Sequence, residues 1–203
     1  MGYILVIVIA YITGSSSMAW YISKAKGIDA RKEGSGNLGA SNATTLMGWH
    51  IGVLVALHDI AKTALAVVLA RYFFPELPYI GPIAGTASIL GHIFPFYLGF
   101  KGGKGFASYV GMTLALNWKV CLVVVVLAII TTVVTDYIVV ATISTATIVP
   151  VILGIMERSF ILALILLIGT VVMYFKHIEN FKRICNGTEI GLRSTVKGEN
   201  RIR

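Results

Sequence analysis

An apolar run extends almost without interruption from residue 3 to residue 23. Six further apolar segments follow, at about 50–71, 79–98, 105–117, 119–135, 137–156 and 160–175. Most approach the ~20 apolar residues that a helix needs to cross a bilayer. The segment at 105–117 is short, which predicts a tilted span or a re-entrant piece. The first run is not a cleaved signal peptide, because Lys24 and Lys26 follow its apolar stretch instead of preceding it. The pattern predicts an all-α integral membrane protein of about seven transmembrane helices, forming one polytopic domain over residues 1–203.

Composition supports this class. The chain is 57% apolar and 13% charged, against about 25% charged in an ordinary soluble domain. So few charges cannot coat a soluble domain of this size, and the high hydrophobicity excludes disorder. Threading seven spans places loop 24–49, loop 99–104 and tail 176–203 on one side of the membrane. Thirteen of the 17 basic residues lie there: Lys24, Lys26, Arg31, Lys32, Lys101, Lys104, Lys176, Lys182, Arg183, Arg193, Lys197, Arg201 and Arg203. Three (Arg71, Lys119, Arg158) lie on the other side, and Lys62 is within a span. The positive-inside rule makes the first side cytoplasmic and leaves the N-terminus outside. It also explains the net charge of +8 without nucleic acid.

The informative polar residues fall in three clusters, all on the predicted cytoplasmic side. The first is Gly34-Ser35-Gly36-Asn37-Leu38-Gly39-Ala40-Ser41-Asn42. Its glycines let the backbone turn tightly and present N–H groups, as in anion-binding nests. Ser35, Asn37 and Asn42 add neutral hydrogen-bonding groups. A flexible loop has such a composition, but Ser-Gly-Asn-Leu-Gly flanked by spans is too ordered for a spacer.

The second cluster is Gly91-His92-Ile93-Phe94-Pro95 with Phe100-Lys101-Gly102-Gly103-Lys104-Gly105. It is not a P-loop: position 98 is Leu where the pattern needs Gly, and Gly105 stands at the Ser/Thr position. Two ammonium groups on a glycine-rich turn, with Lys104 at a helix start, still favour a phosphate. A positive-inside anchor explains the lysines but not the glycines around them. The third cluster is Lys176-His177-Ile178-Glu179-Asn180-Phe181-Lys182-Arg183, followed by Gly187-Thr188-Glu189. On a helix, His177 and Asn180 are one turn apart and share a face with Arg183 or Phe181; a basic amphipathic tail at the headgroups has a similar composition.

Within the spans, Asp59 and Lys62 are spaced to pair across one helical turn. They read either as functional ionisable groups or as a structural ion pair. Thr142 and Ser144 read most simply as helix-packing hydroxyls. Histidines 50, 58, 92 and 177 show no metal-ligand spacing, the two cysteines show no metal or redox spacing, and no serine-hydrolase elbow surrounds Ser35. No metal site is predicted.

These clusters, in this order, resemble those of the bacterial acyl-phosphate:glycerol-3-phosphate acyltransferases, the PlsY family of inner-membrane enzymes. Asp59-x-x-Lys62 also fits the family's second span. The resemblance implies transfer of a fatty acyl group from acyl phosphate to the 1-hydroxyl of glycerol 3-phosphate in phospholipid biosynthesis. The products are lysophosphatidic acid and phosphate, with no cofactor and no direct use of acyl-CoA or acyl carrier protein. The partners implied are those two substrates and membrane lipids, and the enzyme that makes acyl phosphate is a candidate partner. Ser35, Asn37, Lys104, His177 and Asn180 are the implied catalytic residues. Gly36, Gly39, Asn42, Thr45, Asp59, Lys62, His92, Lys101, Gly102, Gly103, Gly105, Thr142, Arg183 and Glu189 are the implied substrate-binding set. The family is thought to let the substrate's own phosphate accept the proton. Ser41 stands where the family has Thr, and Thr142 where it has Ser. Thr45 stands where the family has an arginine, whose two-pronged grip on phosphate a threonine cannot reproduce. That departure leaves open a weakened enzyme, a different acceptor, or a compensating cation such as Lys62 or Lys101. The competing class is a non-enzymatic transporter or lipid-binding protein for phosphorylated ligands.

Overall fold

The computed structural model describes residues 1–193, and among them every regular element is helical. Two compact units divide the chain, Met1–Asn117 and Trp118–Arg203.

In the first unit the opening apolar run is two helices, α1 (Gly2–Ser15) and α2 (Met18–Ala25). The interruption falls on Gly14-Ser15-Ser16-Ser17, and Ser17 caps α2 by accepting the Trp20 amide at 3.3 Å. A helix end leaves carbonyls without intrahelical partners. Here Ser15 O accepts the Tyr97 hydroxyl at 2.9 Å and Ser16 O accepts Lys62 Nζ at 2.6 Å. The polar loop then leads to α3 (Ala40–Met47), so the end of the first cluster is helical. Gly48, at φ 93°, breaks the chain between α3 and α4 (Trp49–Phe73). Helix α5 (Ile80–Ile93), a 3-10 turn at Phe96–Leu98 and α6 (Phe106–Leu116) complete the unit.

Helices α1 and α5 approach closely at glycines. A methyl group on Gly14 would overlap the Ser88 backbone, and one on Gly91 the Tyr11 carbonyl. Gly111 of α6 lies in the same way against the backbone of Ile60 on α4. Such small-residue contacts are how helices pack where no hydrophobic effect draws them together. Polarity runs opposite to that of a soluble protein. Ile4, Val8, Leu57 and Leu65 are exposed, while Asp59, Lys62, Thr63, Ser88 and His92 are buried.

The second unit packs α7 (Trp118–Thr135) on α8 (Ile138–Met156) and α8 on α9 (Phe160–Cys185). Ser159 caps α9 through the Leu162 amide at 3.2 Å. Asp136, at φ 72°, makes the turn between α7 and α8. Its carbonyl accepts Leu192 N and its carboxylate accepts Arg193 N, each at 2.8 Å.

All seven apolar segments contain helix, but they differ in length. Among the described residues, five helical stretches are long and apolar enough to cross a membrane: Gly2–Ala25, Trp49–Phe73, Trp118–Thr135, Ile138–Met156 and Phe160–Cys185. Helix α5 has 14 residues and α6 has 11. At ~1.5 Å per residue each falls short of a ~30 Å hydrocarbon core.

Candidate functional site

The first cluster forms the loop between α2 and α3. Gly34 and Gly36 adopt positive φ angles of 59° and 67°, which favour glycine. Asn42, buried on α3, holds this loop to the helix. Its Nδ2 donates to Ala30 O at 3.0 Å and Glu33 O at 3.3 Å, and its Oδ1 accepts the Ser35 amide at 2.9 Å. Ser35 and Gly36 are exposed, Asn37 is half-buried, and Gly39 is the N-cap of α3. Thr45 is exposed on α3 and its hydroxyl donates to Ser41 O at 3.2 Å. Arg31, nearby in the loop, donates to both Asp29 carboxylate oxygens, at 2.9 and 3.0 Å. Those hydrogen bonds hold the Asp29 carboxyl below the usual carboxylate range.

In the second cluster the chain leaves α5, rounds the 3-10 turn and returns to the end of the same helix. Gly102 N–H donates to Ile93 O and Gly103 N–H to His92 O, both at 3.1 Å. The two glycines are required by this close approach. A Cβ on Gly102 would overlap the His92 carbonyl, and one on Gly103 the His92 imidazole. The amides of Gly102 and Gly103 thus close the turn. What continues from the turn is half-buried Lys104, then Gly105 as N-cap of α6 at φ 98°. Lys101 is exposed. A long backbone hydrogen bond from Leu38 N to Gly102 O, 3.5 Å, joins the first cluster to the second.

Beneath this turn, Asp59 and Lys62 pair as their spacing predicts, with Nζ 2.7 Å from Oδ1. Lys62 Nζ also donates to Ser16 O at 2.6 Å and lies 3.0 Å from His92 Nδ1. Around the pair, His58 Nδ1 is 3.4 Å from Asp59 Oδ1, and Ser16 Oγ contacts His58 Nε2 at 3.1 Å and the Tyr21 hydroxyl at 3.3 Å. The Tyr21 and Tyr97 hydroxyls are 3.4 Å apart. Sequence reasoning passed over Ser16, Tyr21, His58 and Tyr97 as members of this network. Two signals existed: a serine triplet inside an apolar run, and a histidine adjoining the intramembrane Asp59.

The third cluster lies in the second unit. His177 and Asn180 are buried on one face of α9, and His177 Nδ1 donates to Met173 O at 2.8 Å. Gly187, at φ 67°, reverses the chain after the helix. The reversal brings Glu189 back to accept Asn180 Nδ2 and Arg183 Nε, each at 2.6 Å. Thr142 is buried on α8 and its hydroxyl donates to Ile138 O of its own helix at 2.9 Å.

The glycerol-3-phosphate acyltransferase family model matches residues 4–187. A glycerol-3-phosphate acyltransferase of Mesorhizobium japonicum is 35% identical over 189 residues, covering 93% of this chain and 95% of that protein. One from Coxiella burnetii is 36% identical over 193 residues, covering 93% and 97%. The crystal structure of PlsY (YgiH), an integral membrane glycerol 3-phosphate acyltransferase in its glycerol 3-phosphate form, superposes with a TM-score of 0.89 at 29% identity, covering 96% of this chain and 98% of that one. Its lysophosphatidic acid form gives a TM-score of 0.85, covering 94% and 95%. The chain belongs to the glycerol-3-phosphate acyltransferase family.

Proposed function

We propose that this acyltransferase takes its fatty acyl group from acyl phosphate and delivers it to the 1-hydroxyl of glycerol 3-phosphate, at the cytoplasmic face of the bacterial inner membrane. Acylation of glycerol 3-phosphate in phospholipid synthesis follows from the family, and the transport reading is not favoured. The observation that carries the choice of chemistry is the Leu38–Gly102 contact, which sets the Ser35–Asn37 loop beside the Lys101–Lys104 turn. Neutral hydrogen-bonding groups and ammonium groups suit two phosphates and an oxyanion better than they suit proton abstraction.

In this reading the acceptor hydroxyl oxygen attacks the acyl carbonyl carbon. The bond from that carbon to the phosphate oxygen breaks, and the hydroxyl proton leaves on phosphate. Acyl phosphate is a mixed anhydride, so its leaving group departs without strong acid assistance. Ser35, Asn37, Lys104, His177 and Asn180 are assigned to positioning and charge stabilisation, and the other motif residues to substrate binding. The chain is read as one domain crossing the membrane seven times, with α5 and α6 as its two short crossings.

The test is phosphate release by the purified protein in detergent, from acyl phosphate with and without glycerol 3-phosphate, and with acyl-CoA as the alternative donor. Phosphate release coupled to lysophosphatidic acid formation is expected. Equal or better use of acyl-CoA would remove the donor assignment.

A further inference from the structure

Lys62 Nζ has three N–H groups as an ammonium, and three acceptors surround it: Ser16 O at 2.6 Å, Asp59 Oδ1 at 2.7 Å and His92 Nδ1 at 3.0 Å. A proton on His92 Nδ1 would face that ammonium, while its distance to Asp59 Oδ1 is a long 3.4 Å. The arrangement is satisfied when Nδ1 accepts from Lys62, which leaves the imidazole proton on Nε2. The Nε2 edge is the one against which Gly103 packs, where a Cβ would overlap Nε2, Cε1 and Cδ2. Residue 92 is 6% exposed, and among the described residues no hydrogen-bond partner faces Nε2.

We infer that Asp59 and Lys62 act through His92, fixing it as the neutral Nε2–H tautomer so that this edge is a set hydrogen-bond donor to a phosphate held at the Gly102-Gly103-Lys104 turn. Lys62 and Asp59 are then positioning residues, and His92 is the member of the network that touches ligand. The inference rests on the reading of that turn as a phosphate seat. It explains why position 103 carries no side chain and why an ion pair is buried just below the turn. A tautomer locked by a neighbour costs no rearrangement when the ligand arrives, which is where a preorganised donor gains over water.

The test is nitrogen NMR of the full chain with labelled histidine in detergent micelles, with His92 assigned through His92→Gln. At neutral pH His92 is expected to show a protonated Nε2 and a bare Nδ1, and inorganic phosphate is expected to shift Nε2. Lys62→Met should abolish the tautomer preference. A bare Nε2 in the unmodified protein overturns the inference without any variant. Kinetics supply the second arm. His92→Asn keeps an acceptor near Lys62 but loses the far donor, so it should raise a Michaelis constant roughly tenfold or more. His92→Gln, which keeps an N–H near the Nε2 position, should restore most of that loss. A rise for glycerol 3-phosphate assigns the seat to the acceptor's phosphate, and a rise for acyl phosphate assigns it to the donor's. Equal losses in both variants overturn the inference, because a packing role does not distinguish them. If phosphate shifts Nε2 neither in the unmodified protein nor in Lys104→Met, and Lys104→Met leaves phosphate affinity intact, the seat itself falls. If Lys104→Met weakens phosphate while Nε2 never responds, only the role of His92 falls.

Discussion

Asn42 holds Ser35 in place: its side-chain oxygen accepts the Ser35 amide at 2.9 Å, and the same amide group donates to the Ala30 and Glu33 carbonyls. A buried side chain on a short helix thus sets the conformation of a loop whose own residues are largely exposed. Removing it strips partners from groups on both sides of the loop. Each buried group so orphaned costs about 1–3 kcal/mol. Asn42→Ala should therefore lower both thermal stability and turnover. Asn42→Asp, which keeps the acceptor but not the donor, should fall between. Melting curves with steady-state rates decide this, and a variant losing activity with an unchanged melting temperature would point to direct substrate contact instead.

In the second unit, Glu189 bridges Asn180 and Arg183 with 2.6 Å contacts to each. Glu189→Ala should loosen Asn180 and lower both stability and activity, because the buried amide and the Arg183 guanidinium both lose this acceptor. Glu189→Gln retains an acceptor for Asn180 and should recover stability more than it recovers the Arg183 contact. Full stability in Glu189→Ala would show that the bridge does not hold the chain reversal at Gly187.

These two residues also show what was legible in the sequence. Helical periodicity alone places His177 and Asn180 on one face without choosing between Arg183 and Phe181 as its third member, and the spacing of Asp59 and Lys62 makes their pairing readable. The return of Glu189 is not readable that way, because it depends on the left-handed turn at Gly187. The Lys62 network was half visible for the same reason. Its anchor at Ser16 exists only because α1 stops there, and Tyr97 reaches Ser15 O from a segment 82 residues away. Glycine content marks the Gly102-Gly103 turn but does not say where its amides go. Those amides cap α5, a tertiary return that composition does not encode.

Orientation can be checked on the intact membrane. The excess of basic residues in loops 24–49, 99–104 and the tail from 176 predicts opposite sides for the two termini, with the tail cytoplasmic. Single cysteines placed at residue 1 and near residue 190, in a background lacking Cys121 and Cys185, should react with an impermeant thiol reagent from opposite sides. Labelling of both from one side would rule out an odd number of crossings.

Lys104 lies half-buried between the glycine turn and the N-cap of α6, where a cation and helix-end amides can share one phosphate. Lys104→Met should slow turnover roughly 30- to 1,000-fold, the range for losing a preorganised electrostatic group worth about 2–4 kcal/mol. Lys101→Met, at an exposed position, should cost far less at saturating substrate. Reversal of that ranking in a steady-state assay would move the phosphate seat to the outer side of the turn.

Thr45 stands at the position where the resemblance to the family implies an arginine. Lys62 is buried and engaged with Ser16, Asp59 and His92, and Arg31 has its guanidinium on Asp29. Exposed Lys101 is therefore the candidate for compensation. Thr45 is itself exposed, and its hydroxyl is engaged with its own helix, so an arginine there meets no packed core. A charge-assisted hydrogen bond contributes ~1.5–3 kcal/mol, and each 1.4 kcal/mol is about tenfold in affinity. Thr45→Arg should lower the Michaelis constant for glycerol 3-phosphate roughly 10- to 100-fold on those figures, with a smaller effect on the acyl-phosphate term. If Lys101 has taken over the role, Lys101→Met should raise the acceptor constant in the unmodified enzyme, and Thr45→Arg should reverse that rise. An acceptor constant unchanged by either substitution, singly or together, would place the acceptor phosphate beyond the reach of both positions.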